Sequence, residues 1–124
     1  MSERSVLYVE DNEYNRKIVR QLLSRSSYRL IEATDGETGV ALAQQELPDL
    51  ILMDVQLPKM SGLDATQALK ADSRTSHIPI IVITSFALSG DREKAMMAGA
   101  SSYLAKPYSP RELLALVRRF LPEP

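Results

Sequence analysis

Runs of consecutive apolar residues alternate along this chain with segments whose apolar positions recur every three or four residues. Ser5 to Glu10 contains Val6, Leu7, Tyr8 and Val9, and Asp49 to Asp54 contains Leu50, Ile51, Leu52 and Met53. An unbroken apolar run of this length predicts a strand buried on both faces, as in a parallel sheet. Ile78 to Ile83 predicts a further strand, with Pro79 confined to its beginning. Shorter strands are expected over residues 29–33 and 102–105. Between the runs the period changes to that of a helix. Asn12 is placed to cap a helix reaching about Arg25, with Tyr14, Ile18, Val19, Leu22 and Leu23 on its inner face and Arg16, Lys17, Arg20 and Gln21 elsewhere. Thr34-Asp35-Gly36-Glu37 has capping-box spacing and opens a second helix through Gln45, which Pro48 ends. A third helix runs from Ser61-Gly62-Leu63-Asp64 to near Ala71, with Leu63 and Leu69 inward. Ser89 caps a fourth, whose Met96 and Met97 read as packing residues and which Gly99 terminates. Ser109-Pro110-Arg111-Glu112 opens the last, with Leu113, Leu114, Val117, Phe120 and Leu121 on one stripe before Pro122.

Strands alternating with helices imply an α/β fold, a doubly wound parallel sheet of five strands with five helices on its two faces. The 124 residues suit one domain spanning 1–124, without linker, repeat or low-complexity segment and without room for an effector domain after the last helix. A net charge of -1 gives no electrostatic reason to expect nucleic acid or membrane binding. There is no cysteine, no apolar leader and no run of membrane-spanning length, so a cytoplasmic protein is expected.

Polar residues at the strand ends change this bland picture. In an open α/β sheet the carboxyl ends of the strands face one crevice. The apolar runs here end in Glu10-Asp11, Asp54, Thr84-Ser85 and Lys106-Pro107. Each residue has an ordinary reading, as a solvated turn, a cap, a last strand position or a surface lysine. Together they read differently. Adjacent carboxylates on a strand-to-helix loop suit Mg²⁺, which keeps waters and leaves room for phosphate oxygens. A carboxylate beside that ion, Asp54, can attack phosphorus and form an acyl phosphate. Thr84 and Lys106 then offer a hydroxyl and a point charge to the phosphoryl oxygens. His77, with no neighbouring ligand in sequence, reads as a loop residue.

The set Glu10-Asp11, Asp54, Thr84, Tyr103 and Lys106-Pro107 resembles the receiver domain of two-component response regulators, over the whole chain. The likeness includes the loop Leu57-Pro58-Lys59-Met60-Ser61-Gly62 and the helix end Ala98-Gly99-Ala100. Residues 84–91, Thr84-Ser85-Phe86-Ala87-Leu88-Ser89-Gly90-Asp91, are similar to those of DivK-like stand-alone receivers and of receivers in hybrid kinases. The resemblance implies a flavodoxin-like receiver fold with strand order 2-1-3-4-5. It implies that Asp54 accepts a phosphoryl group from a phosphohistidine of a histidine kinase or phosphotransfer protein. Asp11, Asp54 and the Gln56 backbone carbonyl would ligate Mg²⁺ with Glu10 assisting, and Thr84 and Lys106 would hold phosphoryl oxygens. Tyr103 would be the switch aromatic, altering a face of the fourth helix, fifth strand and fifth helix for a protein partner. That face would include Arg92, Met96, Tyr103 and residues near the start of the last helix. The implied protein is a monomer or weak dimer in a phosphorelay, not an enzyme beyond its own phosphorylation and dephosphorylation. One departure is Glu10, where the family more often has Asp.

Three rival readings differ in testable residues. A dinucleotide-binding domain needs a Gly-rich phosphate loop after the first strand, where this chain has Glu10-Asp11-Asn12. A haloacid-dehalogenase-like phosphatase shares the Asp nucleophile and Mg²⁺ but carries a second acid two residues on, where Gln56 stands. An interaction module that is never phosphorylated would leave Asp54 unmodified by every donor.

Overall fold

Every residue of the runs Ser5–Val9, Leu50–Asp54 and Ile80–Thr84 is buried, as strands covered on both faces must be. The computed structural model describes residues 4–84 and 91–122. Strands β1 (Ser5–Val9), β2 (Arg29–Ala33), β3 (Leu50–Asp54), β4 (Ile80–Thr84) and β5 (Ser102–Ala105) alternate with the helices. These are α1 (Glu13–Ser24), α2 (Gly36–Glu46), α3 (Gly62–Ala71), α4 (Asp91–Met97) and α5 (Pro110–Phe120). The strands form one sheet in the order β2-β1-β3-β4-β5, and every pairing is parallel. The expected doubly wound α/β fold is therefore present.

The period of two along each strand divides the core. Leu7, Val9, Ile51, Met53, Ile80 and Val82 join Ala43, Ala65, Leu69 and Ala95 on the face covered by α2, α3 and α4. Val6, Tyr8, Leu50, Leu52, Ile81 and Ile83 join Val19, Leu23, Leu113 and Val117 on the face covered by α1 and α5. The caps follow local chemistry. Asn12 accepts from Asn15 N, and Ser109 and Glu112 form the expected capping box, a contribution of about 1 kcal/mol. Gly99 closes the α4 end at φ 108, a left-handed value that a Cβ would oppose.

Several local expectations need correction. The inward row of α1 is Arg16, Val19 and Leu23, spaced i, i+3, i+7, while Tyr14 is 71% exposed. Val19, Leu22 and Leu23 pack inward as expected, while Arg16, a guanidinium with acidic partners, takes an inner position that Tyr14 does not. The cap of α2 is Asp35, which accepts from Thr38 N, rather than Thr34. The first strand stops at Val9, one residue before Glu10. Strand β4 begins only after Pro79, whose carbonyl accepts from Ile51 N but which has no N–H to donate. Met96 and Met97 are exposed rather than packed, which leaves the alternative that such adaptable side chains suit a protein-binding face. His77 is an exposed loop residue, as expected. The assignment of Ser89 as a cap lies outside the described residues, as do Ser85 to Gly90 of the DivK-like stretch.

Candidate functional site at the carboxyl ends of the strands

Register brings the strand ends to a common level. Val9 lies opposite Met53, Met53 opposite Val82, and Val82 opposite Tyr103. One residue further along are Glu10 and Asp54, two positions beyond Tyr8 and Leu52 and so on the α1–α5 side of the sheet. Thr84 lies opposite Ala105, and the Lys106 amide donates to the Thr84 carbonyl at 2.7 Å. The Lys106–Pro107 peptide bond is cis.

Asp54 is held from two directions. Its Oδ1 accepts from the Gln56 amide at 3.0 Å and its Oδ2 accepts from Lys106 Nζ at 2.8 Å. The chain beyond it folds back closely: Gly62 N donates to the Val55 carbonyl at 2.9 Å. A Cβ on Gly62 would stand 1.9 Å from the Asp54 carbonyl oxygen, so the loop 55–61 closes onto the strand end only with glycine there.

Glu10 is held more tightly still. Its amide donates to the Ala33 carbonyl, and its own carbonyl accepts from Arg16 Nη1 at 2.8 Å. Arg16 in turn pairs with Glu13 and, through Nε, with Glu32 at 3.4 Å. Side-chain oxygen Oε1 of Glu10 accepts from Lys106 Nζ at 3.1 Å and from Tyr8 Oη and Asn15 Nδ2, each at 3.3 Å. Oε2 accepts from the Asn12 amide at 3.2 Å. Tyr8, Asn15 and Arg16 were not singled out from the sequence. The available signal was spacing: Tyr8 precedes Glu10 by two on a strand, and Asn15 and Arg16 share the first turns of α1 with the Asn12 cap.

Glu10, Asp11 and Asp54 each offer a carboxylate oxygen within 4.8 Å of the others, a group that could hold a metal ion. Glu10 and Asp54 are buried and Asp11 is exposed, so the cluster opens to water on one side. Few carboxylates and an open side are what Mg²⁺ requires. Among the described residues the cluster's ammonium is Lys106, with 21% of its side chain exposed against 2% and 3% for Glu10 and Asp54. Burial alone would lower the Lys106 pKa, but the hydrogen bond and charge of Asp54, then of Glu10, raise it above its usual value. Burial raises the Tyr8 phenol, with Tyr108 and the two carboxylates acting the same way, so its hydroxyl remains a donor. Burial likewise raises Tyr108, whose hydroxyl interacts with that of Tyr8.

One cavity borders the cluster, and another opens between α4, β5 and the end of α5. The first, of about 430 Å³, is lined by Asn15, Ile18, Lys106, Pro107, Tyr108 and Pro110. The other, of about 510 Å³, is lined by Arg92, Met96, Tyr103, Arg119 and Phe120 among others. Arg92, Met96 and Tyr103 line this cavity together with Arg119 and Phe120 at the C-terminal end of α5. Tyr103 is half-buried against the α2–α4 face of the core. Thr84 is buried at the end of β4.

Comparison with known proteins points one way. Residues 6–118 match the family model described as response regulator receiver domain. The polar-differentiation response regulator DivK of Brucella anthropi is 42% identical over 118 residues, covering 95% of this chain and 96% of that protein. The receiver domain of sensor histidine kinase PA1611 from Pseudomonas aeruginosa, solved with magnesium coordinated in its active site cleft, is 37% identical with a TM-score of 0.88. That comparison covers 97% of this chain and 98% of the other. Chemotaxis response regulator CheY4 of Vibrio cholerae is 29% identical with a TM-score of 0.90, over 96% and 99% of the two chains.

Proposed function

Since the chain belongs to the response regulator receiver domain family, we propose that Asp54 is its phosphoacceptor and that Glu10, Asp11, Asp54 and the Gln56 backbone carbonyl hold Mg²⁺ beside it. The protein is a DivK- and CheY-like receiver of two-component signalling, a phosphoacceptor module rather than a classical enzyme. Its partners are phosphorelay proteins such as kinases. No helix among the described residues is long and apolar enough to cross a membrane. The haloacid-dehalogenase-like reading finds no support in these relatives.

One observation carries the assignment: a buried carboxylate, a carboxylate trio able to hold a cation and an ammonium converge at Asp54, with Lys106 Nζ 2.8 Å from its Oδ2. In the proposed step an Asp54 carboxylate oxygen attacks the phosphorus of a phosphohistidine. The O–P bond forms as the N–P bond breaks, and the imidazole nitrogen leaves with the electron pair. Bound Mg²⁺ would supply the positive charge that lets the anionic groups approach. Lys106 would transfer its hydrogen bond from the Asp54 oxygen to a phosphoryl oxygen, and the Thr84 hydroxyl would take another. The phosphodonor would reach the crevice across its rim, where Ile18, Pro107 and Tyr108 line an apolar groove.

Signal output would use the opposite flank. Movement of Thr84 toward the phosphoryl group would free space for Tyr103 to turn inward, reshaping the groove it forms with Arg92, Met96, Arg119 and Phe120. The test combines two readouts. Phosphotransfer from a phosphohistidine donor should persist in Tyr103→Ala, whereas binding of the phosphorylated variant to its downstream protein partner should weaken. Equal affinity of variant and wild type would place the output elsewhere, and loss of phosphotransfer in the variant would merge the two roles separated here.

A further inference from the structure

Glu10 carries its carboxylate on two methylenes, and that reach must be restrained if the carboxylate is to serve a cation. Its Oε1 accepts from three side-chain donors, Tyr8 Oη, Asn15 Nδ2 and Lys106 Nζ. A carboxylate oxygen has about two lone-pair positions, so Oε1 has no capacity left. Among the described residues Oε2 accepts only from the Asn12 amide and retains capacity. Tyr8 is fully buried, two residues before Glu10 on the same face of β1, so its ring cannot leave and its hydroxyl is fixed beneath the carboxylate. Tyr108, from the loop before α5, also interacts with that hydroxyl.

We propose that Tyr8, together with Asn15, is a positioning residue that anchors Oε1 of Glu10 and thereby presents Oε2 to the divalent cation. The anchor confines a two-methylene side chain by holding one of its two oxygens. Lys106 alone cannot do this, because its ammonium also serves Asp54 and would be drawn to a phosphoryl group. A hydroxyl of invariant charge, fixed in the core, keeps Glu10 in place through the whole cycle. This inference rests on the assignment of Glu10 to the cation site, and the experiment separates the two.

The probe is Mn²⁺ binding by the whole protein, read from the spin-resonance signal of the free ion, with unfolding in metal-free buffer recorded for each variant. Glu10→Gln tests the underlying assignment: unchanged Mn²⁺ affinity would remove Glu10 from the cation site and the inference with it. If that variant does weaken binding, Tyr8→Phe should also weaken it, by on the order of tenfold as for other outer partners of metal ligands. The diagnostic arm is Glu10→Asp, whose side chain, one methylene shorter, should lose the 3.3 Å contact with the Tyr8 hydroxyl. In that background Tyr8→Phe should have no further effect on Mn²⁺ affinity, and Asn15→Ala should behave the same way. An equal loss in both backgrounds would show that Tyr8 acts only through packing. No loss from Tyr8→Phe with Glu10 present would also overturn the proposal. Should Tyr8→Phe fail to fold, the Asn15→Ala pair decides on the same criterion.

Discussion

Lys106 and Asp54, 52 residues apart, meet at 2.8 Å, and the same ammonium reaches Glu10 at 3.1 Å. The lysine is thus the counter-charge of two carboxylates that are almost wholly withdrawn from water. A crevice lysine with no such duty would be dispensable for folding, which is what its position in sequence alone leads one to expect. The geometry argues the reverse. Removing one member of a buried pair leaves the other charge uncompensated. Partial exposure of Lys106 reduces the cost, so Lys106→Met should destabilise the metal-free protein by about 1–3 kcal/mol. The loss should shrink when Asp54→Ala is made as well. Denaturant unfolding of the single and double variants without divalent metal measures both quantities.

The same pair fixes a pH dependence. The Lys106 pKa in the folded protein lies above its ordinary 10.5, because the attraction of Asp54 and Glu10 outweighs the opposing effect of burial. A raised folded-state value means the contribution to stability is complete below pH 10.5 and lost as pH rises through the higher value. The stability difference between wild type and Lys106→Met should therefore be constant near neutrality and narrow above pH 10.5. A difference that widened with alkalinity would contradict the ion-pair account.

Gly62→Ala should be the most damaging single-methyl change near the site. The added Cβ would fall 1.9 Å from the Asp54 carbonyl oxygen, a backbone atom that cannot swing aside. Overpacking of this kind costs about 1–3 kcal/mol, and here it would also lift the loop whose Gln56 amide holds Asp54 Oδ1. Unfolding and phosphorylation rate should suffer together. A stable variant that phosphorylates normally would mean the loop has another way to close.

Much of the fold was legible because its determinants are local and redundant. The runs at Leu50–Met53 and Ile80–Ile83 can be buried only between two layers, and Ser109 with Glu112 writes its cap in four residues. The acids of the site were legible too, since Glu10-Asp11 and Asp54 end strands that a parallel sheet must align. What escaped was pairing at a distance. Arg16 reads as a solvent charge until Glu13, Glu32 and the Glu10 carbonyl surround it. Tyr8 reads as one more apolar strand residue until its hydroxyl is found on Glu10. The exposure of Met96 and Met97 depends on which side of α4 the sheet occupies, and two adjacent methionines in a short helix do not specify it. Thr34 and Asp35 were both competent caps, and only the backbone decides that Asp35 takes Thr38 N.

The central claim is that Asp54 takes a phosphoryl group in a cation-assisted reaction. Its most direct test is the intact mass of the protein after incubation with a small acyl phosphate and Mg²⁺, repeated with a chelator and with Asp54→Asn. The account predicts the gain of one phosphoryl group by the wild type with Mg²⁺, and none with the chelator or in the variant. An unmodified wild type, or an Asp54→Asn protein modified to the same extent, would contradict it.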